Sequence, residues 1–314
     1  MLAVYTENNN IVNSGLSEKI EAIVKMFIDS QDVKASSKGL YKRTLQQYFK
    51  WVGANNLALN TITRVEILKY KDDLLNSGKS SLTVGNYLTS VRKFYEFIEA
   101  NKISPNVAKG IKTPKRKQQF RKQALTPKQA TELLTVSNAT NKRDYAIINL
   151  LLRTGLRTIE IVRANVGDIT FKGGRRVLLV QGKGRDEKDN FVVLTDKAYM
   201  PIKEYLETRV NVADTEALFI SDSNNNRGKR LTTRTISKIA KEALVATGLD
   251  DKAYTAHSLR HTTAVNILRA NGTLEDAQFT LRHANIATTQ IYTATIAEER
   301  RLNNAAECLL DSMY

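Results

Sequence analysis

A chain of 314 residues with 48 Lys and Arg against 32 Asp and Glu carries a formal charge of +16 and a pI near 9.7. That excess favours a polyanionic partner, nucleic acid before an acidic membrane surface, and the length suits two domains of ordinary size. One cysteine, Cys308, excludes an internal disulfide and fits a reducing cytosol. No apolar run approaches the roughly 20 residues of a membrane helix, and the first 15 residues lack a basic stretch followed by an apolar one. A soluble, cytoplasmic protein with no membrane partner is expected.

Residues 1–15 are polar and Asn-rich and read as a flexible tail. Four helical patterns follow, forming an all-α domain over 16–108. Ile20, Ile23, Val24, Phe27 and Ile28 recur at helical spacing, and Leu45, Tyr48, Phe49 and Val52 form a second stripe. A third helix starts near Thr63, with Glu66 in the capping-box position. A fourth starts near Ser80 and carries Tyr87, Leu88, Val91, Phe94, Tyr95 and Ile98.

Residues 109–123 read as a linker. Lys109, Lys112, Lys115, Arg116, Lys117, Arg121 and Lys122 lie there without an acidic residue, and Pro114 discourages helix. Such a run is often only a solvated face; between two domains it suits contact with a phosphate backbone.

The remainder, 124–314, reads as a second domain. Thr126-Pro127 is an N-cap followed by proline at the first helical position. Helices are expected near 126–135 and 141–153, the latter ending at Gly155. Over 170–194 the period changes: the runs from Arg176 to Gln181 and from Phe191 to Leu194 flank a Gly-rich turn, with Gly173-Gly174 as an earlier turn. The fold class is therefore mainly α with a small antiparallel β-sheet. Helices return near 197–210, 232–247, 257–271, 273–283 and 288–294, and an amphipathic segment over 296–311 ends the chain.

Reactive residues concentrate in this second half. Thr154-Gly155-Leu156-Arg157 precedes a cluster His257-Ser258-Leu259-Arg260-His261, then Leu281-Arg282-His283, then Thr288-Thr289-Gln290-Ile291-Tyr292. All three histidines fall in these motifs. A guanidinium pairs two phosphate oxygens and stays charged at physiological pH, which suits Arg157 and Arg260 to stabilising a pentavalent phosphorus. A tyrosine can attack that phosphorus if a base takes its proton, and Tyr292 stands out among 12 tyrosines by following His283 and the Thr288-Thr289 pair, which reads as a helix cap. His257 and His261, four apart, have the spacing of a zinc pair, but no acidic or cysteine cluster completes a shell, and two arginines make a poor neighbourhood for a cation. No metal and no cofactor are expected. His261 reads as a packing or supporting residue.

The motifs in this order resemble those of the tyrosine recombinases, the lambda-integrase and Xer-like family of site-specific DNA recombinases. The likeness rests on Thr154 to Glu160, on Gln181-Gly182-Lys183-Gly184, on His257 to His261, on Leu281 to His283 and on Thr288 to Tyr292, and nearly the whole chain takes part. It implies an N-terminal helical core-binding domain that clamps DNA and a mixed α/β catalytic domain, together encircling the duplex like a C. It implies Tyr292 as the nucleophile that forms a 3′-phosphotyrosyl link, Arg157 and Arg260 as phosphate ligands, His257 in acid/base work, His283 hydrogen-bonded to the phosphate, and Lys183 as general acid for the 5′ oxygen. By itself Lys183 reads as a solvated turn residue, and Lys172 and Lys188 are rivals in the same β region. Glu160 is expected to orient catalytic groups or cap a helix.

The resemblance also implies double-stranded recombination sites as substrate, a homotetramer on two sites with a C-terminal docking helix, and room for accessory DNA-bending proteins. Integration or excision of a mobile element is the expected task, with Xer-like dimer resolution or inversion as alternatives. A type IB topoisomerase, a non-enzymatic DNA-binding protein and a metal hydrolase are the rival classes. Two positions depart from the pattern: Arg282 replaces the usual Gly, and Ala294 stands where His is common. Arg282 is expected to add a cation near the DNA or a neighbour and to change the local turn, and it is counted with the DNA-binding residues.

Overall fold

The computed structural model describes residues 18–115, 123–182, 185–303, 307–311 and 313–314. The chain divides into two compact units, Met1–Gln119 and Phe120–Tyr314. The tail 1–15, the linker residues Arg116, Lys117, Arg121 and Lys122, and Lys183 lie outside the described residues.

The first unit holds α1 (Glu18–Ser30), α2 (Ala35–Ala54), α3 (Arg64–Asn76) and α4 (Ser81–Ala100). Its helices begin where the polar signals stand. The Glu66 carboxylate accepts from the Thr63 amide at 2.7 Å, and Ser80 Oγ accepts from the Thr83 amide at 3.2 Å. Such caps satisfy amide groups that a helix start leaves without partners. Phe27, Leu45, Tyr48, Ile67, Tyr70, Leu88, Val91 and Phe94 form the core. Two polar pairs tie α2 to α4 within it: the Tyr48 and Tyr95 hydroxyls, 2.9 Å apart, and Thr44 with Ser90, 2.6 Å apart.

That core extends past the expected end of the domain. Ala108 and Ile111 are buried in it, Arg64 donates to the Lys109 carbonyl, and Arg92 Nη1 donates to the Ile111 carbonyl at 3.3 Å. Residues at the start of the expected linker therefore pack on the first unit, while the side chains of Lys109, Lys112 and Lys115 are exposed.

The second unit opens with α5 (Pro127–Asn138), α6 (Lys142–Thr154) and α7 (Thr158–Arg163). A 3-10 turn, Val166–Asp168, leads into the sheet. Strands β1 (Ile169–Lys172), β2 (Arg175–Val180) and β3 (Asn190–Val193) pair antiparallel in that order, with Phe171 opposite Arg176 and Leu178 opposite Val192. Then come α8 (Asp196–Leu206), α9 (Thr233–Ala246), α10 (Ala256–Arg269), α11 (Leu274–Leu281), α12 (Ala287–Asn303) and α13 (Glu307–Leu310). The class is mainly α with a small antiparallel sheet. Among the described residues no helix is long and apolar enough to cross a membrane.

Helix α10 is buried almost all round, from Ser258 to Val265. Its polar side chains are absorbed by hydrogen bonds, as buried polar groups must be. Thr262 Oγ1 accepts from the Leu125 amide and donates to the Ser258 carbonyl, both at 2.8 Å, and Thr263 Oγ1 donates to the Leu152 carbonyl at 2.9 Å.

Three local expectations differ. Short helix α7 falls in the Arg157 motif, where six residues are too few to show a helical period. The segments 288–294 and 296–311 are not separate helices: α12 runs unbroken through Tyr292, because Ile291, Tyr292 and Ile296 pack as one stripe against α10 and α11. Thr288 and Thr289 lie inside its first turns and do not cap it.

Candidate active site

The motifs meet because Gly155 permits it. It ends α6 in the left-handed conformation at φ 59°, and a Cβ there would stand 2.5 Å from Leu281 Cδ2 and 3.3 Å from Thr263 Cγ2. Only glycine allows this turn against the end of α11. Arg260, one turn into α10, then clamps both segments, donating through Nη1 to the Gly155 carbonyl and through Nη2 to the Leu281 carbonyl. Two of its five N–H groups are thereby used and three are left.

Glu160 sits beneath Arg157. Its Oε2 accepts from the Arg157 amide at 2.7 Å and its Oε1 from Arg157 Nη1 at 2.9 Å. The expected orienting and capping roles are both present in one carboxylate, only 1% exposed. Burial pushes its pKa up, but Arg282, the Arg157 amide, and the charges of Arg157 and Arg260 outweigh burial and hold it below the ordinary glutamate value.

Arg282 corrects an expectation. It does not offer a free cation to DNA: its side chain is 7% exposed, Nη2 donates to Glu160 Oε2 at 2.8 Å, and Nη1 donates to the Thr280 carbonyl at 2.6 Å. The guanidinium turns inward onto a carboxylate that would otherwise lack a charged partner on that oxygen, although burial lowers the pKa of Arg282 more than Glu160 raises it.

Tyr292 is buried in α12, 3% exposed. The His261 ring meets it edge-on with centroids 4.6 Å apart, and the His283 ring lies nearly parallel to it at 6.3 Å. Burial pushes the phenol above its usual pKa, while Arg260 and Arg157 pull it back. Burial, aided by the charges of Arg260, Arg157, Arg282 and His257, brings His283 down to about 4. Burial, with His257 and Arg269, does the same to His261, also to about 4. Both imidazoles are neutral at physiological pH. Arg260 is brought down to about 9 by burial and by Arg157 and Arg282, which still leaves a cation at pH 7.

Sequence reasoning did not find the partner of His283. Its Nδ1 lies 2.9 Å from the Thr289 hydroxyl, and Thr289 is fully buried. The contact spans a helix start, a relation with no periodic signal in sequence.

The arrangement gathers Arg157, Arg260, His283 and Tyr292 within electrostatic reach of one another, with His257 near both other histidines. Arg157 is half-buried and His257 exposed. Lys183 lies outside the described residues; the chain reaches it at Gly182, whose carbonyl accepts from Arg163 Nη1 at 2.9 Å. Its rivals are engaged: Lys188 pairs with Asp168 at 2.6 Å, and Lys172 lies 4.6 Å from the Phe191 ring centre. The set can bind a phosphodiester, stabilise added charge on it and present a phenolic oxygen.

The phage integrase family matches residues 123–299, and its N-terminal SAM-like domain matches residues 28–102. The chain belongs to the phage integrase family. It is a site-specific tyrosine recombinase, an enzyme that cleaves and rejoins DNA. The recombinase is 33% identical to tyrosine recombinase XerC of Pelobacter propionicus, over 88% of this chain and 91% of that protein. It is 32% identical to XerD of Oceanobacillus iheyensis, over 81% and 85%. Its fold resembles a XerH site-specific recombinase bound to palindromic difH substrate in a post-cleavage complex (TM-score 0.71, 20% identity, 91% of this chain and 84% of that one). It also resembles the Tn1549 transposon integrase with circular-intermediate DNA (TM-score 0.68, 18% identity, 90% and 98%).

Proposed function

We propose that this recombinase cuts each strand by attack of Tyr292 Oη on the scissile phosphate, forming a 3′-phosphotyrosyl bond and releasing a 5′ hydroxyl. Arg157 and Arg260 bind the nonbridging oxygens and take up the charge that develops on them. His257 exchanges the phenolic proton, neutral His283 hydrogen-bonds the phosphate, and Lys183 protonates the leaving oxygen. The covalent link conserves the phosphodiester, so rejoining needs no ATP. The convergence of Arg157, Arg260 and His283 on Tyr292 carries this reading.

Tyr292 and Arg260 are 3% and 1% exposed, so cleavage requires α12 to shift and open the site to DNA. Two sites held by four protomers would exchange strands in turn. Ile296 packs within its own unit, while Leu302, Leu309 and Met313 beyond it are exposed, which suits contact with another subunit. The Xer names of the relatives favour resolution of joined DNA circles in the cytoplasm over the integration of a mobile element expected from sequence.

Tyr292→Phe keeps the ring and removes the nucleophile. It is expected to abolish covalent attachment to a nicked suicide substrate while leaving DNA binding intact. A persistent adduct would remove Tyr292 from its role. Resolution of a plasmid carrying two identical sites, compared with joining of two unlike sites, separates the two biological tasks.

A further inference from the structure

The residue at 282 is unexpected on backbone grounds. Its φ of 54° and ψ of 47° lie in the left-handed region that suits glycine, yet an arginine stands there. Its guanidinium is buried, and its Nε has no partner. A strained backbone and an unsatisfied donor both oppose an arginine at this position, and the contacts of its Nη atoms show what it does there.

The relevant partner is Glu160. A carboxylate facing a single guanidinium prefers two parallel hydrogen bonds, fork against fork. Glu160 and Arg157 do not pair so. Oε2 is occupied by the Arg157 amide and by Arg282 Nη2, and only Oε1 receives Arg157 Nη1. Arg157 is thus held by one side-chain bond, and its side chain stays 29% exposed. Were Arg282 absent, Oε2 would lose its charged donor and Glu160 could turn to take Arg157 through two bonds. Fewer N–H groups would then remain for a phosphate.

We propose that Arg282 is a positioning residue for strand cleavage: by occupying Oε2 of Glu160, it keeps the Arg157 guanidinium end-on to that carboxylate and open to the scissile phosphate. The proposal rests on Arg157 being a phosphate ligand.

The test measures single-turnover cleavage of a suicide substrate, together with DNA affinity and thermal unfolding. Arg282→Gly suits the backbone, so the variant is expected to stay folded and to bind a single site normally, yet to cleave about tenfold more slowly or worse. Arg282→Lys can still donate to Oε2 and is expected to retain cleavage to within about threefold. Adding Glu160→Gln to Arg282→Gly removes the charge that captures Arg157, and is expected to recover part of the lost rate. Wild-type cleavage by Arg282→Gly overturns the proposal. So does unfolding of both Arg282→Gly and Arg282→Asn, since Arg282 would then serve only to hold the domain together. Arg157→Ala, run in parallel, separates the two levels. If it cleaves normally, the phosphate role of Arg157 fails and this proposal fails with it. If it is inactive while Arg282→Gly is normal, only the role of Arg282 is lost.

Discussion

The ring of His261 meets that of Tyr292 edge-on, 4.6 Å between centroids, in the buried space between α10 and α12. Neither ring is open to a duplex: they are 3% exposed each. The Tyr292 phenol lies within the core of its own domain, and under the proposed mechanism what holds α12 down controls when it can react.

Two turns beyond Tyr292 on the same helix, Glu299 accepts from Arg269 Nε at 3.0 Å and from Nη2 at 2.5 Å. Arg269 also donates to the Leu125 carbonyl at 2.9 Å, which anchors it. Glu299→Gln is expected to weaken this tie by about 0.5–1 kcal/mol and to raise the open population roughly twofold to fivefold. Stability should fall slightly while covalent attachment to a suicide substrate speeds up. Lower stability with an unchanged rate would show that α12 need not leave its seat.

Thr289→Val keeps the shape of the side chain and removes the hydroxyl beside His283 Nδ1. Loss of one buried hydrogen bond is worth about 1 kcal/mol, so cleavage should slow by roughly fivefold through misorientation of His283. Normal DNA affinity should accompany the slower rate. An unchanged rate would mean that packing alone sets the imidazole.

The two buried histidines make stability depend on pH. Folding lowers both to about 4 from the unfolded value near 6.5. Between these limits the unfolded chain binds protons that the folded protein does not, so stability falls as pH drops through that window. At pH 5, above the range where Glu160 takes up a proton, the loss relative to pH 7.5 should be on the order of 1–2 kcal/mol per histidine. Thermal melts of His283→Asn should show a smaller drop than those of the parent. An equal drop would place the sensitivity elsewhere.

Lys109, Lys112 and Lys115 are exposed and without acidic neighbours in sequence. Their replacement by Gln should weaken binding to specific and unrelated DNA alike. The slope of log affinity against log salt should fall by about 0.9 for each phosphate no longer neutralised. A slope that does not change would show that these side chains are merely solvated.

Local signals were legible along the chain. Thr63 with Glu66, Ser80, and Thr126 before Pro127 mark helix starts because a cap is a contact between residues three apart. The turn at Gly173-Gly174 and the β-branched runs beside it mark the sheet for the same reason. The order of Arg157, Arg260, His283 and Tyr292 points to the proposed chemistry, since few residue types bind and attack a phosphodiester.

The bonds that assemble these residues could not be read that way. Arg260 reaches the carbonyls of Gly155 and Leu281, and Arg282 reaches Glu160 across 122 positions. In sequence Arg282 is one cation in an excess of cations; only folding places it beside a buried carboxylate, whose charge must find partners within the protein because water does not reach it. The state of Tyr292 was equally hidden. Whether a tyrosine in a helix faces DNA or the core depends on which helices pack around it, and here α10 and α11 close over it. Residue types determine which reaction the chain can perform, because chemistry resides in functional groups. Burial and partners, which exist only once distant segments meet, determine which of those groups are free to perform it.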